Sequence, residues 1–600
     1  MDPRHKNGSA SAAIRVALLT LLVTASVAAP SVAAPGSRLR AAVTGDRGVV
    51  ASTSKQAAEV GVQVLRDGGN AMDAAIATTF AVGVTRPEMC GLGGGGFLVY
   101  RTANGRTDSL DFREQAPSDF TFALGLKDPA HAHSGGPAVR FGIGHQVIGV
   151  PGTVAGLEAA RGRYGTMPLN ELIAPSVRLA REGFEVTPEL ARSLENSWYD
   201  LGVYFPESRR TFLKHGLVPF AAGETMTLRD YASSLELIAQ AGPHEFYRGS
   251  IAQKIVAEME HSQRPLNPYE DDAGTITLED MVSYEPIWRE PLTTTYRGRT
   301  VIAAPAPTSG GIAILEMLNM LSTFDLAVMP QADRLHVLAE TQKLAWADRN
   351  AYVADPRFEM VPESVLTKRS YGHKRARLID LNRASAYPAP GLGELHENQS
   401  SGGGGAQTTH VSVIDAEGNA AAVTCSIEQF FGSHVVAPGT GIVLNSTMTD
   451  FEDPAVVPQA ANRPEGGKRP RSSMSPTIVV EQDQPILVTG AAGGPGIPMA
   501  VLAAIVNMVD LDMDLARAID AERVEACAEA PACAVLEIEE ARISEVVIGD
   551  LRKRGHELQP VGEYESWPHF ALAQSASVDP VTGLRSGYSD PREEWGALAE

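Results

Sequence analysis

Gln407-Thr408-Thr409-His410-Val411-Ser412-Val413 carries a hydroxyl or imidazole at every second position from Thr408 to Ser412. Laid out as a strand, it puts Thr408, His410 and Ser412 on one face. The turn Ala416-Glu417-Gly418-Asn419 then reverses the chain, and Ala420–Glu428 returns as the partner strand. Ala421, Val423, Cys425 and Ile427 form the apolar face of that partner, and Thr424, Ser426 and Glu428 the polar one. If Asp415 pairs with Ala420, Thr408 lies opposite Ile427; a one-residue bulge near the turn sets it opposite Ser426 or Glu428 instead. Each register leaves a hydroxyl or a carboxylate within one residue of the level of Thr408. A threonine becomes a good nucleophile when it begins a chain, because its own α-amine, with a pKa near ~8, can take the hydroxyl proton. Cutting Gln407–Thr408 would create that arrangement. The same hydroxyl can make the cut by attacking the preceding carbonyl, shifting the acyl group from nitrogen to oxygen before hydrolysis. Taken alone, a Thr-Thr pair at a strand start is also an ordinary β-former, so the reading needs support from elsewhere.

The chain has 600 residues, of which 44% are hydrophobic and 20% charged, enough apolar material for a large core. At ~150 residues per domain the length suggests several domains or one large enzyme. Acidic residues outnumber basic ones, 72 to 51, for a formal charge of −21; this excludes the concentrated basic footprint of a nucleic-acid binder. Four cysteines exclude a disulfide scaffold or a Cys-rich zinc module. Only Cys527 and Cys533 are close enough in sequence to suggest a local pair, with free buried thiols the alternative.

Arg4, Lys6 and Arg15 precede an apolar run, Val16 to Ala29, and small residues follow at Ser31-Val32-Ala33-Ala34. This is the layout of a secretory signal. The run is shorter than the ~20 residues of a membrane-spanning helix, and no later segment approaches that length. The expectation is an exported, soluble protein, periplasmic or secreted, beginning near Ala34 or Pro35. Lys55 to about Val84 has helical periodicity broken at Asp67-Gly68-Gly69-Asn70. Phe97–Tyr100 reads as a strand, Val150 to about Met259 as mostly helix, and Arg334–Tyr352 as an amphipathic helix. Tyr387 to Ala406 is linker-like. Beyond it come short strands at Pro476–Glu481 and Pro485–Gly490 and a helix over about Ile497–Val509. A helix-rich part before the linker and a strand-rich part after it suggest two segments completing one layered α/β fold.

Several familiar templates fail. Gly91-Leu92-Gly93-Gly94-Gly95-Gly96 has the spacing of a dinucleotide fingerprint, but a helix precedes it and a strand follows, the reverse of what pyrophosphate binding needs. Ser52-Thr53-Ser54-Lys55 has no Lys-Thr-Gly partner. His131-Ala132-His133 sits in a Gly/Pro/Ser-rich loop without an obvious third metal ligand. Two other segments support the threonine. Ser472-Ser473 forms a hydroxyl pair ahead of an apolar strand, and Gly490-Ala491-Ala492-Gly493-Gly494 joins a strand to a helix, where free backbone N–H groups can hold an oxyanion.

Together these segments resemble a γ-glutamyltransferase precursor of the N-terminal nucleophile hydrolase superfamily. The resemblance runs from about Ala41 to the C-terminal region. It is carried by Gly91–Phe97 (GLGGGGF), Leu110–Pro117 (LDFREQAP), Gly149–Thr153 (GVPGT), Tyr164–Leu169 (YGTMPL), Pro307–Ile312 (PTSGGI) and Ala347–Arg349 (ADR). Gln407–Val413, Lys468–Pro476, Gly490–Gly494 and Ser589–Arg592 (SDPR) complete it. The resemblance implies a four-layer αββα sandwich of the α/β (α+β) class. It also implies a signal over 1–34, a large segment over 35–407 and a small one over 408–600, the two segments remaining together after self-cleavage at Gln407–Thr408. Thr408 would be the nucleophile, with Gly493 and Gly494 as oxyanion donors. Arg113, which without the family reads as a surface ion pair, would take the donor's α-carboxylate with Ser472 and Ser473. Asp450 would take the α-ammonium, and Ser426 and Glu428 would stand beside the nucleophile and donor. Donors would be glutathione or related γ-glutamyl amides, and acceptors amino acids, peptides or water. No metal or organic cofactor is called for, nor a nucleic-acid partner or a membrane span after signal removal. Two features depart from the family. Thr447 stands where an amide or carboxylate is expected, and Asp450–Lys468 is short for a lid, which leads us to expect a more open cleft. They keep alternatives open: a glutaryl-type acylase, a γ-polyglutamate-processing enzyme, or an uncleaved, non-catalytic homologue.

Overall fold

Asp415 organises the hairpin that carries the candidate nucleophile. Its carboxylate accepts from the N–H groups of Glu417 (3.0 Å) and Asn419 (2.9 Å), its own N–H donates to Asn419 O, and Gly418 takes the positive φ the turn needs. The strands Gln407–Ile414 and Ala420–Glu428 therefore pair with Ile414 opposite Ala420 and Thr408 opposite Ser426. The register of Asp415 with Ala420 does not form. The irregularity falls at the far end of the hairpin, between Gln407 and Thr408, where Gln407 lies opposite Glu428 and Ile427 is the extra residue.

The computed structural model describes residues 40–120, 142–260, 273–393, 407–454, 457–526, 535–562, 570–592 and 596–600. The described elements lie within one unit, Ala41–Glu600. The signal-like N-terminus, His131 and His133, most of the linker, and Cys527 and Cys533 lie outside the described residues.

The hairpin forms the middle of a seven-stranded sheet. Across that sheet the strands run Ala597–Ala599, Val49–Ala51, Gln407–Ile414, Ala420–Glu428, Gly95–Arg101, Thr107–Phe112 and Ile287–Arg289. A second seven-stranded sheet runs Val43–Gly45, Arg585–Ser589, Leu572–Val578, Gln484–Ala492, Thr477–Glu481, Arg299–Ala303 and Leu292–Tyr296. Between the sheets lies an apolar layer that includes Phe97, Val99, Ile302, Ile414, Ala422, Ile478 and Val488. Val411, Val413, Ala421, Val423 and Ile427 point outward into a core shared with the helices Lys55–Arg66 and Ala71–Thr85. The second sheet packs its outer face on Gly310–Leu321 and Ile497–Val509, and Gln331–Tyr352 joins the same core against Gly310–Leu321. The layers are thus αββα, as expected.

Local chemistry explains why the two helices of the first outer layer start where they do. Ser54 caps Lys55–Arg66, so the Ser-x-x-Lys stretch is a helix start. Asp67–Asn70 breaks the run: Gly68 takes φ +93°, and Asn70 forms a reciprocal capping box with Asp73. Every residue of Ala71–Thr85 is buried, as suits a helix covered on both sides. Among the described residues no helix is long and apolar enough to cross a membrane.

Candidate active site

Thr408 is 2% exposed, and its hydroxyl donates to Ser426 Oγ at 3.3 Å. Ser426 Oγ donates in turn to the carbonyl of Gln407 at 2.6 Å and accepts from the N–H of Glu428 at 2.9 Å. Three of the expected residues thus meet at the bulged end of the hairpin. Behind them Thr409 Oγ1 bonds Thr53 Oγ1 at 2.6 Å, and Thr53 O accepts from Arg86, which pairs with Glu88 at 2.6 Å. His410 points into the space between the sheets, with Nδ1 2.8 Å from Thr424 Oγ1 and Nε2 3.0 Å from Ser412 Oγ. Ser412 Oγ contacts the carbonyls of Val488 and Gln574, so it can donate to them while His410 Nε2–H donates to it. Burial lowers the His410 pKa to about 3, and the ring is neutral. Gly490 lies directly over it: a Cβ there would stand 2.3 Å from the ring.

The strand Gln484–Ala492 then ends, Gly493 and Gly494 take φ of +124° and +56°, and the helix Ile497–Val509 follows. Gly493 rests on Ala571, where a Cβ would come within 2.7 Å of backbone. Ala571 is fixed by Arg523, which donates to its carbonyl at 2.8 Å and pairs with Asp590 at 2.7 Å. Asp590 belongs to the SDPR stretch, which therefore supports the glycine turn.

Arg113 follows the strand Thr107–Phe112 and is fully buried, so the surface ion pair that its sequence suggests does not form. Its Nη2 contacts Asp450, with Glu428 Oε2 at 3.8 Å, and its Nη1 lies 3.5 Å from Glu114. Burial opposes the Arg113 charge, but Glu114, Asp450 and Glu428 together raise its pKa. Burial raises Glu114 against the attraction of Arg113. Glu428 is pushed well up by burial and then by Asp450. Arg113 Nε has no partner among the described residues. Glu428 connects the two halves of the site, because its N–H bonds Ser426 while its carboxylate faces Arg113.

Ser472 and Ser473 are held by the PTSGGI loop. Ser309 donates to the Ser472 carbonyl from N at 2.7 Å and from Oγ at 2.6 Å, and Gly310 passes so close that a Cβ would lie 2.0 Å from Ser475 Oγ. Asn462 joins this loop to Asp450, accepting from Arg471 N at 2.8 Å and donating to Asp450 O at 2.7 Å. The expected short lid segment contains Asn462, which is fully buried with Ala461, and Glu452, which pairs with Arg471.

Sequence reasoning missed Glu114 and Asn462 as members of the site, and Arg349 beyond its place in the ADR stretch. Arg349 donates to Ser309 Oγ at 2.9 Å, Asn350 Oδ1 at 2.7 Å and Ser473 Oγ at 3.1 Å, and has no carboxylate in ion-pair contact among the described residues. Burial and the charge of Arg471 lower its pKa to about 9. Its place within ADR was the available signal. For the disulfide Cys90–Cys425, whose residues are 335 apart, no spacing signal exists.

One group among the described residues has metal-ligating chemistry: His336, Glu340 and His556, all buried. The two rings share a 2.7 Å hydrogen bond, His336 Nε2 bonds Asp380 O, and Glu340 pairs with Lys343 at 2.8 Å. These bonds engage three of the four ring nitrogens and the Glu340 carboxylate, while His556 Nδ1 has no hydrogen-bond partner among the described residues.

Two facing sheets between helical layers, with a threonine strand in the middle of one, define the fold class as that of the N-terminal nucleophile hydrolases. Within that class the chain belongs to the γ-glutamyltranspeptidase family: the family model described as Gamma-glutamyltranspeptidase matches residues 57–599. A "Glutathione hydrolase proenzyme" of Escherichia coli K12 is 40% identical over 80% of this chain and 81% of its own length. An "Acylase ACY 1 proenzyme" of Pseudomonas sp. strain V22 is 36% identical over 86% of this chain and 88% of its own. Among solved structures, the cephalosporin acylase from Bacillus halodurans superposes with a TM-score of 0.82 at 29% identity, covering 95% of this chain and 99% of that one. The Helicobacter pylori γ-glutamyltranspeptidase gives 0.52 at 34%, covering 58% of this chain and 96% of that one.

Proposed function

We propose that this protein is a γ-glutamyltransferase and glutathione hydrolase, exported to a periplasm or beyond the cell, that cuts itself between Gln407 and Thr408. The segments would be a signal over 1–34, a large chain over 35–407 and a small chain over 408–600. The observation that carries the proposal is one connected path. Thr408 bonds Ser426, Ser426 bonds both the Gln407 carbonyl and Glu428 N, and Glu428 faces Arg113 beside Asp450. A donated hydrogen bond on the Gln407 carbonyl favours attack on its carbon by the Thr408 hydroxyl. The acyl group moves to oxygen, water hydrolyses the ester, and Thr408 is left with a free α-amine as its base.

In turnover the Thr408 hydroxyl attacks the γ-carbonyl of the donor, its proton passes to the α-amine, and the Gly493 and Gly494 N–H groups receive the oxyanion. The leaving amine departs protonated, and the glutamyl ester passes to an amino acid, a peptide or water. Arg113 supplies the fork for the donor's α-carboxylate, with Ser472 and Ser473 beside it. Asp450 and Glu428 receive the α-ammonium, whose positive charge counters the burial that pushes the Glu428 pKa up. Arg349 positions the Ser473 hydroxyl. Nucleophile, base and oxyanion donors are all groups of the chain.

A second reading, a glutaryl-type acylase, is favoured by Thr447, which places no amide or carboxylate where the ammonium would be held, and by the acylases among the relatives. Release of p-nitroaniline from γ-glutamyl and glutaryl anilides separates the two. The transferase reading expects the γ-glutamyl anilide to have the higher kcat/KM by about tenfold or more, the scale of one charge-assisted contact. A preference for glutaryl overturns it. A chain that stays intact and inactive would instead be a non-catalytic homologue.

A further inference from the structure

Cys90 closes the segment that leaves the helix Ala71–Thr85, and Cys425 lies in the strand Ala420–Glu428, one residue before Ser426. The two form a disulfide with Cα atoms 5.7 Å apart, and both residues are buried. On the helix-facing side of the sheet Thr153 Oγ1 lies 3.8 Å from Cys425 Sγ. The same short segment holds the same strand by main-chain bonds: Ile427 N donates to Met89 O at 3.2 Å and Phe431 N to Glu88 O at 3.0 Å. Cys90 lies before the Gln407–Thr408 bond and Cys425 after it.

We propose that Cys90–Cys425 is an interchain bond in the mature enzyme, so that the large and small chains remain one covalent molecule after the cut. The proposal rests on the cleavage reading above. Forming the bond removes two electrons and two protons from the thiols and passes them to an external disulfide, which leaves as two thiols. An exported protein meets such oxidants, whereas a reducing cytosol opposes the reaction. The bond keeps the Ser426 strand attached to the segment that also braces it through Glu88 and Met89. Chains that come apart can therefore re-pair as an intramolecular event rather than a bimolecular one.

The test is a denaturing gel of the purified full-length protein, with free thiols blocked before unfolding, run with and without reductant. The expected result is one band at the mass of the joined chains without reductant and two bands with it. Two bands in both lanes overturn the tether and leave cleavage standing. One band in both lanes overturns cleavage, and with it the interchain character of the bond. The alternative pairings, Cys90 with Cys527 or Cys533, are separated by variants. C527S/C533S should behave as the wild type, and C90S/C425S should give two bands in both lanes. A joined band that persists in C90S/C425S overturns the assignment. Should that variant fail to fold or to be cut, digestion of the thiol-blocked wild type should release a disulfide-linked peptide pair containing Cys90 and Cys425; its absence overturns the bond.

Discussion

The proposed nucleophile end of the site and the proposed donor end are built on different physics. Around Thr408 the groups are neutral and paired: hydroxyls bond hydroxyls, a carbonyl and a ring that burial keeps uncharged. Around Arg113 one guanidinium sits among three carboxyl groups in a buried space, with an Nε that lacks a partner among the described residues and two carboxyls whose pKa values are raised. A neutral, satisfied network is organised before any substrate arrives, as a reaction on the chain's own backbone requires. A charged, under-satisfied cluster stores electrostatic cost that a zwitterionic ligand can relieve. On the proposed reading, the neutral end acts on the chain and the charged end recognises a donor.

Thr408→Ala breaks the comparison at its root and carries the largest effect. Cleavage and anilide turnover should both fall to background on a reducing gel and in a rate assay, and an uncut yet active variant would remove Thr408 from the mechanism. Arg113→Ala acts on the other end. It leaves buried carboxyls without their cation, a change on the order of 2–5 kcal/mol. The expected outcome is a fall of roughly 10²-fold in kcat/KM for γ-glutamyl donors, mainly through KM, with the protein still cut; equal loss of cleavage would show the two ends to be one unit. Arg349→Met removes a charged donor to Ser473, worth about 1.5–3 kcal/mol. KM for the γ-glutamyl anilide should rise roughly tenfold, while cleavage should be unaffected.

The smallest effect is on stability and concerns the neutral end. His410 titrates at about 3 when folded, against about 6.5 in an unfolded chain. The unfolded chain therefore takes up the proton first as pH falls. The stability linked to this ring is complete above about pH 6.5 and is lost progressively as pH drops toward 3. Between pH 7 and 5 the loss is about 2 kcal/mol from this ring alone, readable as a lower urea midpoint. His410→Gln should shrink that difference, and an unchanged difference would mean that the ring is not the neutral group described.

What the sequence made legible follows the range of the forces involved. Alternation along Thr408–Ser412 and Ala420–Glu428, the break at Asp67–Asn70 and the glycine turn before Ile497 are local, and each appears where its residues predict. The register of the hairpin was not legible, because Asp415 fixes it through side-chain bonds that give no periodic signal. Arg113 and Asp450 are 337 residues apart, and only the family resemblance joined them in advance. Arg349 and Asn462 escaped for a related reason: each touches a recognised residue rather than being one.

The bonds from Ser309 to the Ser472 carbonyl have a consequence for engineering by recombination. Position 407/408 looks like a natural breakpoint for shuffling halves between relatives, since the chain is proposed to part there anyway. Yet the seam passes through the proposed donor pocket, with Arg113, Ser309 and Arg349 on one side and Glu428, Asp450, Ser472 and Ser473 on the other. A chimera crossed at that point would inherit a carboxylate fork from one parent and its hydroxyl pair from the other. If the proposed pocket sets selectivity, selectivity is inherited as matched halves, and a breakpoint placed for convenience would divide it.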